Sequence, residues 1–418
     1  MNDLVKIIKP SIEIKPLFGL SLPRLTTLME RFGQRSYRAS QLHHALYRER
    51  ITALDQATTL PQPLRDALTA EGYTVGLPEI IQTARSIDGT ERYLIRMADG
   101  ETVETVWMPD GDGGERGDGS QAAEEEEAAA EEEEEETKDP AKSVFPYRRS
   151  TICVSSQVGC AVNCQFCLTA KLGIRRNLTA GEIAGQVAAV LNRHNVDVGS
   201  SRGNPTPARI NLVFMGMGEP FLNYPNFTAA VRLLTQMPIP ESRMTVSTSG
   251  ILPGILDFAK ETVRPKLAVS LNASNDTIRE SIMPITRKWN IAALLEALRT
   301  IPLRNREWIT FEYVLLGGIN DSLAHADELI ALVKDKEKGV PCKINLIVWN
   351  SGPNMPYHEP SRAEALAFQN RIIAAGVPCY IRRPRGRDIY AACGQLKRTV
   401  ETTPAPLIEI TSAEAHAG

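Results

Sequence analysis

The chain has 418 residues, of which 43% are hydrophobic, so it can form one large domain with an accessory domain or two to three ordinary domains. Its net charge is −3, no apolar run reaches the ~18 residues of a membrane span, and the first residues lack a signal-peptide core. We therefore expect a cytoplasmic protein with no membrane association. An odd set of seven cysteines, three of them grouped, favours metal binding or catalysis over a disulfide framework.

The small net charge conceals an uneven distribution. Between Asp110 and Asp139, fifteen acidic residues stand against two basic ones, so the rest of the chain carries a charge of +10. Because blocks of like charge repel and rarely pack, we predict a disordered acidic insertion over 111–145, either a solvated spacer or a decoy for basic surfaces. The basic remainder can attract a polyanion, although many enzymes share this property.

Before the insertion, the pattern changes from helical to extended. Apolar residues at helical spacing, such as Leu25, Leu28 and Met29, predict an N-terminal helical accessory domain over 1–75, whose arginines could contact RNA phosphates. Pro61 and Pro63 interrupt this pattern before it resumes. Short β-like runs at 80–84, 92–96 and 101–107 then predict a small β linker region over 76–110.

After the insertion, strand and helix patterns alternate. Six buried strands are predicted at 151–155, 210–215, 244–248, 266–271, 310–315 and 343–349, with helices at 180–194, 225–234, 252–259, 291–298 and 323–333 between most of them. This alternation favours an α/β fold with a parallel sheet, and the count fits an incomplete (β/α)6 barrel over 146–352. A C-terminal extension (353–402) and a flexible tail (403–418) follow. Ligands of such sheets lie beyond the carboxyl ends of the strands.

The cysteine-rich run follows the first of these strands. Cys160, Cys164 and Cys167 have C-x3-C-x2-C spacing, which can supply three thiolates to a [4Fe-4S] cluster and leave one iron open. A structural zinc site is the alternative, but it takes four ligands, often from paired knuckles, and no second knuckle or nearby histidine is present. With an aromatic Phe166 before its last cysteine, the motif resembles that of the radical S-adenosylmethionine (SAM) enzymes.

Small or polar residues end several of the predicted strands. Gly218 permits close backbone approach to a ligand, and Glu219 supplies a carboxylate for an ammonium group, although a tight turn explains this sequence nearly as well. Residues at later strand ends together form a polar rim suited to a nucleoside and a methionine group, whereas any one alone is more often a helix cap. These are Ser247, Ser270, Asn272 and Asn350.

The C-terminal extension combines arginines with an isolated cysteine. Arg382, Arg383, Arg385 and Arg387 are suited to phosphate contacts, with a solvated surface strip as the alternative. Cys393 lies between Ala392 and Gly394, where little bulk surrounds it, so an accessible thiol is expected.

With these residues considered together, the chain resembles the RlmN family of adenine-C2 methyltransferases, which act on 23S rRNA and tRNA. The resemblance covers about residues 18 to 400 apart from the acidic insertion. It is carried by the stretches 36–42, 103–106, 153–160, 215–220 and 391–396 together with the cysteine motif.

The resemblance implies a reaction that uses two SAM molecules per turnover. Cys393 takes a methyl group from one SAM, and a 5′-deoxyadenosyl radical from the second removes hydrogen from that methyl, which then adds to carbon 2 of adenine. Glu104 accepts the carbon 2 proton. Cys153 resolves the adduct by forming a transient disulfide with Cys393.

The resemblance also implies the ligands and partners. One [4Fe-4S] cluster is expected to bind to Cys160, Cys164 and Cys167, and an external one-electron donor, flavodoxin-like or similar and not identified by the sequence, is expected to reduce it; the protein is expected to be a monomer. The residues expected to surround SAM are Gly218, Glu219, Ser247, Ser270, Leu271, Asn272 and Asn350.

Two alternatives remain open at this stage. The sister activity, which methylates carbon 8 of the same ribosomal adenosine, uses equivalent cysteines, although the complete N-terminal region and the context of Cys393 favour carbon 2. A non-enzymatic iron–sulfur RNA-binding protein would use the basic body alone and would not need Cys153 or Cys393.

Overall fold

A computed structural model of the protein describes residues 14–109, 149–198, 208–335, 339–382 and 384–397. The predicted acidic insertion (111–145), the predicted tail (403–418) and Arg383 lie outside the described residues. Among the described residues, no helix is long and apolar enough to cross a membrane.

The N-terminal part contains three helices and a short parallel strand pair. The helices are α1 (Leu22–Arg31), α2 (Tyr37–Tyr47) and α3 (Gln62–Ala70), and the strands are β1 (Lys15–Pro16) and β2 (Tyr73–Thr74). Helix α1 buries Leu25, Leu28 and Met29, which form the apolar face expected from the sequence. Arg50 also serves the fold: its guanidinium donates to Asn192 Oδ1 at 3.1 Å and to the Val196 carbonyl oxygen at 2.6 Å, which ties this part to the barrel.

One ten-stranded sheet forms the centre of the molecule. Its strands are β3 (Glu79–Arg85), β4 (Glu91–Arg96), β5 (Thr102–Pro109), β6 (Arg149–Cys153), β9 (Arg209–Phe214), β10 (Met244–Thr248), β11 (Lys266–Ser270), β12 (Ile309–Leu315), β13 (Cys342–Val348) and β14 (Cys379–Ile381). The spatial order is β14-β13-β12-β11-β10-β9-β6-β5-β4-β3. Strands β6 and β9–β14 are parallel, whereas β3–β5 join the edge of β6 in antiparallel pairing. The parallel strands are buried, as expected for a sheet covered by helices.

Helices and a small hairpin complete the barrel. The hairpin pairs β7 (Gln157–Gly159) with β8 (Ile174–Asn177). The helices are α4 (Leu168–Lys171), α5 (Ala180–Arg193), α6 (Tyr224–Gln236), α7 (Leu252–Phe258), α8 (Asp276–Ile282), α9 (Ile291–Leu298), α10 (Leu323–Lys334) and α11 (Arg362–Ala374). Helix α5 begins with a capping box, in which Thr179 and Glu182 each satisfy the other's backbone N–H.

The structure agrees with most of the sequence-based prediction. All six predicted barrel strands and all five predicted barrel helices are found, each within two residues of its expected ends. The structure adds the β7–β8 hairpin, α8, α11 and β14, which extends the parallel run to a seventh strand. The strands β3–β5 of the 76–110 segment belong to the main sheet. The domain boundaries predicted from the sequence stay a prediction.

Candidate active site

An open cavity of about 900 Å³ lies at the carboxyl ends of the parallel strands. The loops that follow β7, β9, β10, β11 and β13 all contribute to its walls, as does Glu312 from β12. Its lining includes all three motif cysteines and six of the seven residues expected to surround SAM: Cys160, Cys164, Cys167, Gly218, Glu219, Ser247, Ser270, Asn272 and Asn350. Leu271 does not line the cavity; its side chain is buried, and its backbone bonds to Glu312 and Arg279.

The cysteine loop is fixed at both ends by backbone contacts. The Cys160 N–H donates to the Gly173 carbonyl oxygen at 3.0 Å, and the Leu168 N–H donates to the Gly394 carbonyl oxygen at 2.8 Å. Burial raises the pKa of Cys160 to about 12, and burial followed by the charges of Cys167 and Cys160 raises the pKa of Cys164 well above its usual value. The three thiols lie on one wall of the cavity and would repel each other as thiolates. A cationic iron–sulfur core offsets this repulsion, because it stabilises the thiolate form of its ligands.

The thiols do not converge on a single point. Within the described ranges, no three His, Cys, Asp or Glu side chains are close enough together to hold one metal ion. The three cysteines instead line one wall of the cavity.

Glu219 is a buried carboxylate at the start of the turn after β9. Its Oε1 accepts the Phe221 N–H at 3.0 Å, and its Oε2 accepts both the N–H and the hydroxyl of Ser249 at 2.7 Å. Burial raises its pKa. No lysine or arginine of the described segments forms an ion pair with it, so this side of the cavity can accommodate an ammonium group such as that of SAM.

Several polar groups of the remaining rim form hydrogen bonds within the protein. Ser247 and Ser270 donate to Glu312 Oε2 at 2.5 Å and 3.3 Å. The Asn272 Oδ1 accepts the Val314 N–H at 2.9 Å. Asn350 donates from Nδ2 to the Cys393 carbonyl oxygen at 3.2 Å, while its buried Oδ1 has no hydrogen-bond partner in the part of the chain that the structure describes. Because a buried unpartnered acceptor is costly, Asn350 Oδ1 fits a donor from a bound ligand.

A second cavity adjoins the first and contains both additional cysteines. Its walls include Cys153 at the end of β6 and the exposed Cys393, and Cys393 lines the first cavity as well. Burial, followed by the nearby charge of Cys393, raises the pKa of Cys153 to about 12. All seven cysteines are free thiols in the structure. Cys379 is buried in the core and Cys342 packs against it, as expected for cysteines without a catalytic role.

Glu104 lies beside this cavity, and both oxygens of its carboxylate accept hydrogen bonds from the protein. Its carboxylate is buried, with Oε1 accepting from Arg92 at 3.0 Å and Oε2 accepting the Lys397 N–H at 2.8 Å. Lys397 follows Cys393 by four residues, so Glu104 contacts the same segment that carries the candidate methyl acceptor.

The structure reveals site residues that sequence reasoning missed. Arg279 is buried and donates to the carbonyl oxygens of Leu271, Ser249 and Ser270, which fixes the loops after β10 and β11. Burial lowers its pKa to about 10. Glu312 had one signal in the sequence, a lone carboxylate within an otherwise apolar strand; Arg279 had none.

A parallel α/β barrel with three clustered cysteines, a buried carboxylate and a polar rim at the carboxyl ends of its strands defines a radical SAM enzyme. The family model described as Radical SAM superfamily matches residues 154–330. Curated relatives include "Probable dual-specificity RNA methyltransferase RlmN" of Koribacter versatilis, 55% identical over 89% of this chain and 98% of that protein. The "Dual-specificity RNA methyltransferase RlmN" of an Anaeromyxobacter species is 43% identical over 93% and 92%.

Structural similarity supports the same assignment. The crystal structure of a radical SAM methyltransferase from Sphaerobacter thermophilus has a TM-score of 0.75 and 36% identity, covering 92% of this chain and 99% of that one. The chain described here belongs to the RlmN family of dual-specificity RNA methyltransferases. The fold class expected from the sequence is thereby confirmed.

Proposed function

We propose that this enzyme methylates carbon 2 of an adenosine in 23S rRNA and in the anticodon loop of a subset of tRNAs, through a methylated Cys393. The observation that carries the proposal is the placement of Cys393. This exposed thiol lines both the cavity of the motif cysteines and the cavity that contains Cys153. A methyl group on its sulfur would therefore face both the place where a radical is generated and the resolving thiol.

The different environments of the two cysteines support different roles. Cys393 is exposed and can meet the sulfonium methyl of SAM, whereas Cys153 is buried, and burial raises the pKa of its thiol to about 12. A thiol with such a high pKa is a poor nucleophile at neutral pH, so Cys153 is protected from methylation. It would act later, when its attack on the Cys393 sulfur releases the methylated base and leaves a disulfide.

The other residues would hold the substrates. When bound to Cys160, Cys164 and Cys167, a [4Fe-4S] cluster supplies the electron for reductive cleavage of SAM. Glu219 would bind the SAM ammonium group, and Asn350 Oδ1 would accept a hydrogen bond from the ligand. Two SAM molecules would be consumed per turnover, and an external one-electron donor would restore the reduced state.

Glu104 would accept the carbon 2 proton. One oxygen of its carboxylate is held by Arg92, and the other accepts the Lys397 N–H, so the carboxylate is oriented toward the C-terminal segment. We propose that the substrate base reaches this oxygen when it enters beside Cys393. The helical N-terminal part (1–75) would contribute to RNA binding in a monomeric enzyme.

Product analysis tests the proposal. The anaerobically reconstituted enzyme is incubated with SAM, a reductant and either a 23S rRNA fragment or tRNA, and the digested RNA is analysed by mass spectrometry. We expect 2-methyladenosine in both RNAs only when reductant is present. Formation of 8-methyladenosine would assign the sister activity instead, and absence of methylation by a protein that still binds RNA would favour a non-enzymatic function.

Changing Glu219 to glutamine is expected to weaken SAM binding. The substitution removes a negative charge that this wall offers to an ammonium group, and an ionic hydrogen bond contributes about 1.5–3 kcal/mol, or about tenfold to hundredfold in Kd. Isothermal titration of the reconstituted protein with SAM measures the change. Glu280→Gln, which removes an exposed carboxylate paired with Arg287, is the matched control and should leave Kd unchanged. An unchanged Kd in the Glu219 variant would contradict the assignment.

A further inference from the structure

Arg382 extends into the protein instead of toward the surface. Sequence reasoning assigned it to a strip of phosphate-binding arginines, but its side chain is only 14% exposed. Its backbone N–H donates to the Leu346 carbonyl oxygen at 2.9 Å, which continues the pairing of β14 with β13. From there the guanidinium reaches the cavity that contains Cys153 and Cys393.

Glu312 fixes the position of that guanidinium. Its Oε1 lies 3.5 Å from Arg382 Nη1, and its Oε2 accepts the hydroxyls of Ser247 and Ser270. Arg382 Nη1 also contacts Met215 Sδ at 3.5 Å. The pair thus forms part of the wall between the two cavities, with Glu312 lining the cavity of the motif cysteines and Arg382 lining the cavity of Cys153.

Charged and titratable groups from several elements lie near Cys153. They include Cys393 on the C-terminal segment, Arg382 after β14 and Glu312 on β12, and the Met215 N–H after β9 adds a hydrogen bond to the sulfur. Arg382 and the Met215 N–H lower the pKa of Cys153, whereas burial, Cys393 and Glu312 raise it. Arg382 is therefore a cation that favours the thiolate form of Cys153, and Arg385 lines the same cavity.

We propose that Arg382, anchored by Glu312, is a positioning residue for the resolving step, where it holds a positive charge beside Cys153 as this residue attacks the Cys393 sulfur. The inference rests on the proposed function. In this step Cys153 gives up its proton and forms the S–S bond. The bond between the Cys393 sulfur and the methylene carbon on the base breaks, its electron pair stays with that carbon, and a proton completes the methyl group.

The two members of the pair are expected to have opposite effects. Arg382→Met removes the cation and lowers the thiolate fraction of Cys153. Resolution then becomes slower by about threefold for each unit by which the pKa of Cys153 rises, because the fall in thiolate fraction is partly offset by the greater nucleophilicity of a more basic thiolate. Glu312→Gln removes the anion but keeps a polar side chain of the same shape, so resolution becomes faster. Arg382→Lys retains the charge and should restore most of the rate.

One experiment isolates the thiol step from methylation. In the anaerobically reconstituted full-length enzyme, where the cluster ligates three cysteines, the exposed Cys393 is converted to a mixed disulfide with one equivalent of 5,5′-dithiobis(2-nitrobenzoate). Attack by Cys153 then forms the Cys153–Cys393 disulfide and releases a second thionitrobenzoate, which is followed by its absorbance between pH 7 and pH 10. Cys153→Ala defines the background. Arg387→Met, which removes a partly exposed arginine of the same segment, is the matched control.

We expect slower release in Arg382→Met, with a pH profile displaced toward higher pH, and faster release in Glu312→Gln. An unchanged pH profile in Arg382→Met would overturn the inference. Equal losses of rate in the Lys and Met variants would also overturn it, because a purely structural role of Arg382 would not depend on the charge of the side chain. A second readout is the covalent protein–RNA adduct, which should accumulate in Arg382→Met during turnover. If the profile shifts but the wild-type enzyme methylates no RNA, the proposed function fails while the coupling between Arg382 and Cys153 stands.

Discussion

Replacing Cys393 with serine is expected to abolish methyl transfer to RNA, by on the order of a thousandfold or more, because in the proposed mechanism Cys393 takes the methyl group from SAM. A hydroxyl in the same place is a far weaker nucleophile than a thiolate and gives no resolvable sulfur adduct. The side chain is exposed, so the free energy of unfolding should change by less than about 0.5 kcal/mol. Incorporation of a labelled methyl group into RNA and the iron content of the same preparation measure both effects.

Two further cysteine variants separate the roles. Cys153→Ala should still form a methylated protein and then trap a covalent adduct with RNA, because the resolving thiol is missing. Cys342→Ser changes a partly buried cysteine at the start of β13, remote from both cavities in the sheet, and should methylate RNA at the wild-type rate. Methylation by Cys393→Ser, or loss of methylation in Cys342→Ser, would contradict the methylated-cysteine proposal.

The barrel could be predicted from the sequence because each of its strands and helices has a hydrophobic pattern within its own short segment. Strand β12 has seven consecutive buried residues, and such runs bounded by helical patterns indicate a covered parallel strand. The polar residues at strand ends then follow from topology alone, since the carboxyl ends of parallel strands meet at one edge. This explains why Ser247, Ser270 and Asn350 line the same cavity although they are distant in sequence.

The parts that sequence reasoning missed depend on contacts between distant segments. Nothing local distinguishes the buried Arg279 from a surface arginine of a short helix, and only the fold brings it to the carbonyl groups after β10 and β11. Arg382 was grouped with its neighbours for the same reason, because a run of arginines gives no sign of which member points inward. The expected contact of Leu271 with SAM stays a prediction; its side chain is in the core, so such a contact would be made by the backbone.

Gly159→Ala is expected to prevent cluster assembly while the remaining barrel folds. Gly159 ends β7 with φ +83°, and an alanine Cβ there would lie 1.8 Å from the Gly173 carbonyl oxygen, which is part of the backbone and cannot rotate away. The same oxygen accepts the Cys160 N–H at 3.0 Å. Relief of the clash therefore separates β7 from β8 and moves the first cysteine of the motif away from the other two. Iron and sulfide content after anaerobic reconstitution measures the loss.

Gly173→Ala, at the residue immediately before β8, is a closely matched control in the same hairpin. Gly173 also has a positive φ, +65°, but a Cβ added there meets no atom within 4 Å. Both variants thus have the strain of a left-handed alanine, about 1–2 kcal/mol, and only Gly159→Ala has the backbone clash. We expect Gly173→Ala to retain its cluster with a modest fall in thermal stability. Equal iron content in the two variants would show that the close approach of β7 to β8 does not position Cys160, whereas cluster loss in Gly159→Ala alone would show that the hairpin sets the geometry of the motif.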